Sequence, residues 1–545
     1  QKARRRASRC HHRRLCFRRH RGLPGRGWKS WSSGAGRHHR GQRPACTAQD
    51  RHDRQRFEAR ARDLRQGRSG GSGLGRPADD SDQRAHRGWY WRGRGRHDAT
   101  VNPIGERVLE RCKKLGSEDA EVYLSRGTEF TVRVYNREIE SLVSAESRGI
   151  GLRTFCDHRV GFSYTSETDP DALDGLVDDA LLNGRYNHAD EANVLPLTQP
   201  AEPLAGLASP ALSRVDPQRK IDFALEMERR ATSLDPRVRR VSDAVYSDGT
   251  GEVEIVNSRG LQASFARTVA YGVLETIAEQ DSEMQSGFAF THGRDMEELD
   301  LAGVVQEAVE NAAGLLGARP VKTATVPVVL HPHAAAMILG VLASSFSADA
   351  VIKRRSLLAG KLGEQVAAGI VTITDDARLP DGLASRPFDG EGVPSRRNEL
   401  IADGVLKSYL HNTYTAARTN GQSTGSAVRS YKSVPEVGVS NLVLKPGNLT
   451  KDALLARVDN GLHVSQLSGL NTVNPVSGEF SLGLTGHWIE HGRLTTPVKE
   501  LTVAGNVIAL LMKVVAVASD LRFMFAGGFC GSPTVLIEEL PVGGL

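Results

Sequence analysis

The first hundred residues contain neither isoleucine nor valine, so they lack the β-branched side chains that strands and cores readily bury. They hold 28 Lys and Arg against 8 Asp and Glu, a net charge of +20, whereas the rest of the chain holds 43 against 56, a net charge of −13. Such a segment cannot offset its chain entropy by burying apolar surface. We therefore expect the folded protein to occupy residues 101–545.

The Arg-rich, low-complexity segment of residues 1–100 allows three interpretations. It could bind nucleic acid through its basic side chains, or it could be a targeting peptide, although its length and its acidic residues fit a targeting peptide poorly. A stretch rich in Arg, Gly, Ala, Pro and His is also what GC-rich DNA encodes out of frame. This last interpretation favours a segment that is disordered or not native and has no role in function.

The cysteines indicate neither a disulfide framework nor a zinc ribbon, because no two of them have C-x-x-C spacing. Only Cys112, Cys156 and Cys530 follow residue 100, which fits a reducing cytoplasm, and no secretory signal is visible. Residues 507–521 form the most apolar stretch near the C terminus. Because Lys513 interrupts it and it is short for a membrane span, we predict a buried helix there and no membrane contact.

Two successive segments, residues 101–192 and 215–320, show the same order of predicted elements: a helix, antiparallel strands and a second helix. A Pro-rich linker, residues 193–214, separates them. Residues 321–545 contain many short strands between Gly-, Asn- and Ser-rich turns. We predict an α+β protein with an N-terminal α/β sandwich built on an antiparallel sheet, a similar central domain and a strand-rich C-terminal domain.

Two histidines, His331 and His333, stand at the end of an apolar predicted strand. An H-x-H pair at a strand end occurs in zinc hydrolases, but a catalytic zinc needs a third protein ligand and an open position. The later histidines form no motif with this pair: His411, His463, His487 and His491. We therefore predict that His331 and His333 are surface residues without a shared role.

The predicted helix after these histidines, "AAAMILGVLASSFSADA", is where a familiar zinc motif with two histidines and a glutamate could stand. Its inward positions are apolar and offer no lone pairs suited to a hard or borderline cation. These positions are Met337, Ile338, Val341 and Leu342. We expect this helix to bind no metal.

Several stretches carry a resemblance to a known family: "GSEDAEVYL", "KRRSLLAGKLGEQV", "RPFDGEGVPSRRNELIADGVLKSYLHNTYTAAR", "STGSAVR" and "VNPVSGEFSLGLTGHWIEHGRL". Through them the chain from about residue 104 to residue 545 resembles the TldD/PmbA family, whose members were first named as modulators of DNA gyrase. The resemblance implies a peptidase with an N-terminal α+β domain, a central domain and a strand-rich C-terminal domain.

TldD-type members of this family carry H-E-x-x-x-H on the helix after this strand, with a cysteine near the C terminus as a further zinc ligand. When that pattern is aligned with this sequence, its two histidine positions fall at about Gly340 and Ser345, and its glutamate position falls at Val341. The chain therefore resembles the PmbA type, also called TldE, which lacks the motif. We expect Cys530, near the position of the ligand cysteine, to have no role.

The PmbA-type resemblance implies a subunit without a cofactor of its own. Its partner would be a TldD-type subunit that carries the zinc, and the pair would cleave unfolded peptides. The main alternative is a regulator of DNA gyrase without peptidase activity. The net charge of −13 after residue 100 disfavours direct contact with nucleic acid.

Two Gly-, Ser- and Asn-rich stretches are candidates for the wall of a peptide channel, because they permit close approach of a peptide backbone. The alternative is that they are ordinary tight turns. The candidate residues are Ser423, Thr424, Gly425, Asn474, Ser477 and Gly478.

The stretch "PFDGEGVPSRR" places Asp389 and Glu391 close to two arginines. Paired carboxylates can perform acid and base chemistry. The commoner outcome is a structural ion pair, and we predict one with Arg396 or Arg397.

Overall fold

In the computed structural model, which describes residues 103–197 and 200–544, one antiparallel sheet of six strands serves both of the first two segments. The Arg-rich segment, residues 1–100, lies outside the described residues. The strands are β1 Asp119–Tyr135, β2 Glu138–Cys156, β3 Arg159–Thr165, β4 Val238–Asn257, β5 Gln262–Gln280 and β6 Glu283–Gly293. Their order is β3-β2-β1-β4-β5-β6, so each segment adds its strands outward from the central β1–β4 pair.

Four helices cover one face of this sheet: α1 Pro103–Lys114, α2 Pro170–Tyr186, α3 Pro217–Leu234 and α4 Leu301–Ala313. Strand alternation points Val122, Val132 and Val134 of β1 to this face, where all three are fully buried. On the opposite face, Tyr123 and Ile255 pack against Phe388 of the C-terminal segment. The sheet therefore lies between its own helices and the C-terminal segment.

The C-terminal segment contains two further six-stranded sheets. The strands and helices are β7 Ala324–Leu330, α5 Pro332–Ala343, α6 Ala348–Ile352, β8 Ile373–Asp376, β9 Arg397–Ala402, β10 Val405–Leu406, α7 Thr413–Arg418, β11 Ala427–Val428, β12 Glu436–Val437, β13 Asn441–Leu444, α8 Lys451–Leu455, β14 Asn460–Ser468, β15 Glu479–Glu490, β16 Arg493–Asn506, α9 Val507–Met512, β17 Val514–Val517, β18 Arg522–Phe525, β19 Phe529–Ser532 and β20 Val535–Gly543. The strand orders of the two six-stranded sheets are β10-β9-β8-β13-β19-β18 and β16-β15-β14-β7-β20-β17, and β11 and β12 form a two-stranded sheet. The largest core cluster lies in this segment.

The α+β architecture confirms the predicted fold class. The helix predicted over residues 507–521 is wrong beyond Met512, because the chain continues as strand β17 and pairs with β20. The β-branched residues Val514 and Val517 favour this strand. No helix among residues 103–197 and 200–544 combines the length and the apolar character that crossing a membrane requires.

Candidate functional site

Helix α5 follows strand β7 and packs against the hairpin of β18 and β19. Its first turn contains Pro332, which has no backbone N–H and suits this position. The side chain of His331 caps the helix, because its Nδ1 accepts a hydrogen bond from the backbone N–H of His333 at 3.3 Å. A cap followed by a proline thus fixes where the helix begins.

Gly340 and Cys530, two positions that the family resemblance singled out, meet at one backbone carbonyl. A Cβ added to Gly340 would overlap with the carbonyl oxygen of Ala526. The Cys530 thiol donates a hydrogen bond to the same oxygen at 3.1 Å. The structure therefore brings these positions together and leaves no room for a larger side chain at residue 340.

The other two positions of the pattern lie where α5 ends. Val341 is half-buried, and Ser345 lies in a 3₁₀ turn beyond the last residue of α5, Ala343. The Ser345 hydroxyl is buried without a hydrogen-bond partner among the described residues. Its backbone carbonyl accepts a hydrogen bond from the Ser356 hydroxyl at 2.6 Å. Residues 340 and 345 therefore do not share one continuous α-helix.

These side chains do not fit a zinc ion. Zinc prefers imidazole nitrogen, thiolate or carboxylate ligands, and Gly340 and Val341 offer none. Burial raises the pKa of Cys530 to about 12, so its sulfur stays a neutral thiol. In the part of the chain that the structure describes, no group of three or more His, Cys, Asp or Glu side chains is arranged to hold a metal ion.

Three histidines form a cluster beside α5: His331, His333 and His463. The ring centroids of His331 and His333 are 5.1 Å apart, and those of His331 and His463 are 6.2 Å apart. His333 is 8% exposed and His463 is 4% exposed. The prediction of surface positions is therefore wrong for His333, which is buried, and His331 is half-buried. β7 and β14 pair in parallel, which brings residues more than a hundred positions apart together.

His463 is the most isolated member of this histidine cluster. Neither of its ring nitrogens has a hydrogen-bond partner among the described residues. Burial lowers the pKa of His463 to about 3, with smaller contributions from the nearby Lys451 and His487. The imidazole is therefore neutral at physiological pH.

The predicted ion pair of Asp389 or Glu391 with Arg396 or Arg397 is wrong. Glu391 Oε1 lies 3.1 Å from Nη1 of Arg153, a residue of β2. Arg396 instead donates to the backbone carbonyl of Ser423. Sheet packing brings β2 to the loop that carries Glu391, and local spacing gives no sign of this contact.

The Asp389 carboxylate accepts hydrogen bonds that stabilise the turn in which this residue lies. Its Oδ1 accepts the backbone N–H groups of Glu391 and Val393 at 2.8 and 3.0 Å, and its Oδ2 accepts that of Ala427 at 2.9 Å. Burial and the neighbouring charge of Glu391 raise the pKa of Asp389 to about 7. This environment positions the carboxyl group as a structural acceptor.

A buried network of charges extends from Glu391 into the first sheet. Arg153 donates from Nε and Nη2 to both carboxylate oxygens of Glu121, each at 3.1 Å. Arg429 donates to the same Glu121, and the backbone N–H of Thr413 donates to Glu391 at 2.8 Å. Sequence analysis missed this network, whose charged pairs join residues 32 to 308 positions apart.

The first channel candidates, Ser423, Thr424 and Gly425, form a compact turn. The hydroxyls of Ser423 and Thr424 both donate to the carbonyl of His411, at 3.2 and 3.1 Å. Gly425 adopts φ +70°, and a Cβ there would lie 2.6 Å from the carbonyl oxygen of Pro394. Glycine is therefore required at this position by backbone conformation and by close packing.

The second channel candidates, Asn474, Ser477 and Gly478, lie in the connection between β14 and β15. Asn474 Oδ1 accepts the backbone N–H groups of Val476 and Ser477, at 2.9 and 3.2 Å, and Gly478 has φ +76°. Asn474 and Ser477 are exposed. No hydrogen bond between described residues joins this turn to that of Ser423.

Comparisons with known proteins give matches to one family along most of the folded chain. Residues 120–184, 210–316 and 323–544 match the family models for PmbA/TldA metallopeptidase domain 1, central domain and C-terminal domain, respectively. The chain is 27% identical to metalloprotease PmbA of Escherichia coli O157:H7, over 78% of this chain and 93% of that protein. It is 28% identical to a metalloprotease TldD homologue of Haemophilus influenzae, over 73% of this chain and 87% of that protein.

Solved structures show the same architecture. A Thermotoga maritima protein described as a candidate modulator of a DNA gyrase has a TM-score of 0.75 and 27% identity, covering 81% of this chain and 99% of that chain. TldE from Thermococcus kodakarensis has a TM-score of 0.75 and 25% identity, covering 81% of this chain and 100% of that chain. The chain therefore belongs to the PmbA/TldD metallopeptidase family.

Proposed function

We propose that this chain is the PmbA-type, TldE-like subunit of a heteromeric zinc peptidase and that it holds no metal itself. The observation that carries the proposal is the contact of Gly340 and Cys530 with one carbonyl oxygen, that of Ala526. Backbone and a neutral thiol fill the place where a peptidase of this family would present its metal ligands. A TldD-type partner supplies the zinc, and this chain contributes to peptide binding.

A free strand edge next to α5 supports the role in peptide binding. β18 is the last strand of its sheet, and its outer edge pairs with no other described strand. Phe525 of β18 is 53% exposed. Its ring centroid lies 6.2 Å from that of Tyr271 and 5.7 Å from that of Phe290. An extended peptide that adds to this edge would gain main-chain hydrogen bonds and an aromatic surface, with little choice of sequence.

Reconstitution of peptide cleavage tests this function. The chain is produced alone and together with a TldD-type protein that carries H-E-x-x-x-H, and each preparation is incubated with an unfolded polypeptide. We expect cleavage by the pair and none by the lone chain. Cleavage by the lone chain, or cleavage by the TldD-type protein that this chain does not change, would refute the proposal.

We place this complex in the cytoplasm. The described cysteines Cys112, Cys156 and Cys530 are all unpaired, which suits a reducing compartment. Cell fractionation tests the placement, and recovery of the chain from an oxidising compartment would contradict it.

Regulation of DNA gyrase is the second candidate, because the Thermotoga maritima neighbour is described by that role. A supercoiling assay separates the two candidates. Inhibition or stimulation of gyrase by the lone, peptidase-inactive chain would favour regulation, and an unchanged supercoiling rate would favour the peptidase subunit.

A further inference from the structure

Arg429 lies over the ring of Tyr123 where the helix-free face of the first sheet meets the C-terminal segment. The rings of Phe265 and Phe388 are in edge-to-face contact there, 5.1 Å apart. Arg267 follows Phe265 by two residues on β5 and therefore shares its sheet face. Arg386 precedes Phe388 by two residues. We call the surface formed by Arg267, Arg386, Arg429 and Tyr123 the arginine cleft.

The three arginines of the cleft differ in their exposure to solvent. Arg267 is exposed, Arg386 is half-buried and the side chain of Arg429 is completely buried. The Arg429 guanidinium lies 4.4 Å from the ring centroid of Tyr123. Burial raises the pKa of Tyr123, and the positive charges of Arg429, Arg267 and Arg386 oppose this rise.

Several guanidinium donors in the arginine cleft have no acceptor. Nε and Nη2 of Arg386, and Nε and Nη1 of Arg429, are buried without a hydrogen-bond partner among the described residues. Arg267 has neither a hydrogen bond nor an ion pair from its side chain within that part of the chain. Buried, unpaired donors on cations are costly, and the adjacent Nε and Nη2 groups of Arg386 match the two oxygens of a planar or tetrahedral oxyanion.

The neighbouring carboxylates do not satisfy these donors. Glu121 accepts from Arg153 with both oxygens, and Asp389 accepts backbone N–H groups with both. Asp375 Oδ1 accepts from the backbone N–H and the hydroxyl of Ser440. No carboxylate lies within 4.0 Å of Arg386 or Arg267 in the described chain. These guanidinium donors are therefore not satisfied by protein acceptors among the described residues.

We propose that the arginine cleft binds a compact oxyanion, a carboxylate or phosphate group that enters past Arg267 and accepts from Arg386, Arg429 and the Tyr123 hydroxyl. The proposal does not depend on the peptidase function, because the cleft belongs to this chain alone. The anion could be the carboxylate at a peptide C terminus or a phosphate group, since planar guanidinium groups bind both.

Isothermal titration calorimetry on the full chain tests the proposal with three probes: inorganic phosphate, tetra-alanine with a free C terminus and tetra-alanine amide. We expect saturable binding of phosphate or of the free-acid peptide, and at least tenfold weaker binding to Arg386→Gln. Arg267→Gln is a second variant at the solvent side of the cleft. Arg219→Gln is the matched control, because Arg219 is exposed and pairs with Glu297 at 2.8 Å elsewhere.

The probes separate the two sources of the anion. Binding of the free-acid peptide but not of its amide would assign the site to peptide C termini, and binding of phosphate alone would assign it to phosphate groups. Absence of binding by all three probes would overturn the proposal. Equal binding by the parent and both cleft variants would also overturn it.

Thermal unfolding without a probe provides a second readout. If the arginine cleft is an anion site that is empty without a probe, Arg386→Gln removes an unpaired cation. The melting temperature of this variant should then equal or exceed that of the parent. Phosphate or the free-acid peptide should then raise the melting temperature of the parent but not that of the variant. A lowered melting temperature with unchanged probe binding would assign Arg386 a purely structural role and overturn the proposal.

Discussion

The Arg153 guanidinium lies 3.1 Å from the carboxylate of Glu391, and this buried ion pair joins residues 238 positions apart in the chain. Arg153 also pairs with Glu121, so one guanidinium contacts two buried carboxylates, and Arg429 supplies the second cation at Glu121. The contact ties the first sheet to the loop that precedes β9. It is therefore a sensitive probe of how these parts hold together.

Arg153→Met should strongly destabilise the protein, because it leaves Glu121 without its bidentate partner and Glu391 without its cation. Breaking a buried pair in this way costs about 3–5 kcal/mol of unfolding free energy. Chemical denaturation measures the change. Arg126→Met is the matched control in a surface pair with Glu146 and should cost less than about 1 kcal/mol. Equal effects of the two substitutions would contradict the network.

Gly340→Ala should be destabilising, because the added methyl group would overlap with the Ala526 carbonyl. Overpacking of this kind typically costs about 1–3 kcal/mol. Gly175→Ala is the matched control, because Gly175 lies in α2 with no atom within 4 Å of an added Cβ. That change should stabilise the protein by up to about 1 kcal/mol. Thermal unfolding compares the two, and a neutral Gly340→Ala variant would refute the close packing of α5.

Acid should destabilise the folded state through His463. Its folded pKa of about 3 lies below the usual value of 6.5, so the unfolded state binds the extra proton as the pH falls below 6.5. His463→Leu removes this penalty. The stability of the variant relative to the parent should rise as the pH falls from 7 to 5, by about 1 kcal/mol per pH unit.

The comparison with the variant is needed because two carboxyl groups act in the opposite direction. Burial raises the pKa values of Asp375 and Asp389 to about 6 and about 7, so both favour folding at lower pH. Urea denaturation of the parent and His463→Leu at pH 7, 6 and 5 isolates the histidine. A stability difference independent of pH would contradict the burial of an unpaired imidazole.

Asn474→Ala should loosen the exposed turn between β14 and β15, because Asn474 accepts the N–H groups of Val476 and Ser477. If this turn lines the peptide channel, KM for peptide cleavage by the reconstituted complex should rise by about threefold, with little change in kcat. Ser233→Ala is the control, since its exposed hydroxyl donates to the Arg229 carbonyl within α3 and lies in neither candidate turn. An unchanged KM for Asn474→Ala would remove that turn from the channel.

The local architecture could be predicted because its signals lie close together in sequence. Asp169 caps α2, its side chain accepting from the backbone N–H of Ala172, and Pro170 opens the helix. Periodic apolar positions predicted the helix–strands–helix order of both early segments. The continuous sheet was not evident, because nothing in either segment alone specifies that β1 pairs with β4.

The contacts that define the candidate site depend on distant parts of the chain. His331 meets His463 through parallel pairing of β7 and β14, and Arg153 meets Glu391 through packing of a sheet face. Val514 and Val517 belong to an apolar run that suits either a buried helix or a strand, and only pairing with β20 decides between them. Contacts between distant parts of the chain leave no pattern in the local sequence.

Zinc analysis of the separated subunits tests the central claim most directly. The complex with a TldD-type protein is assembled with zinc, dialysed against zinc-free buffer and separated into its two chains, and the zinc content of each chain is measured by mass spectrometry. The account predicts about one zinc ion per TldD-type chain and none on the chain that carries Gly340 and Cys530. Stoichiometric zinc on that chain would contradict it.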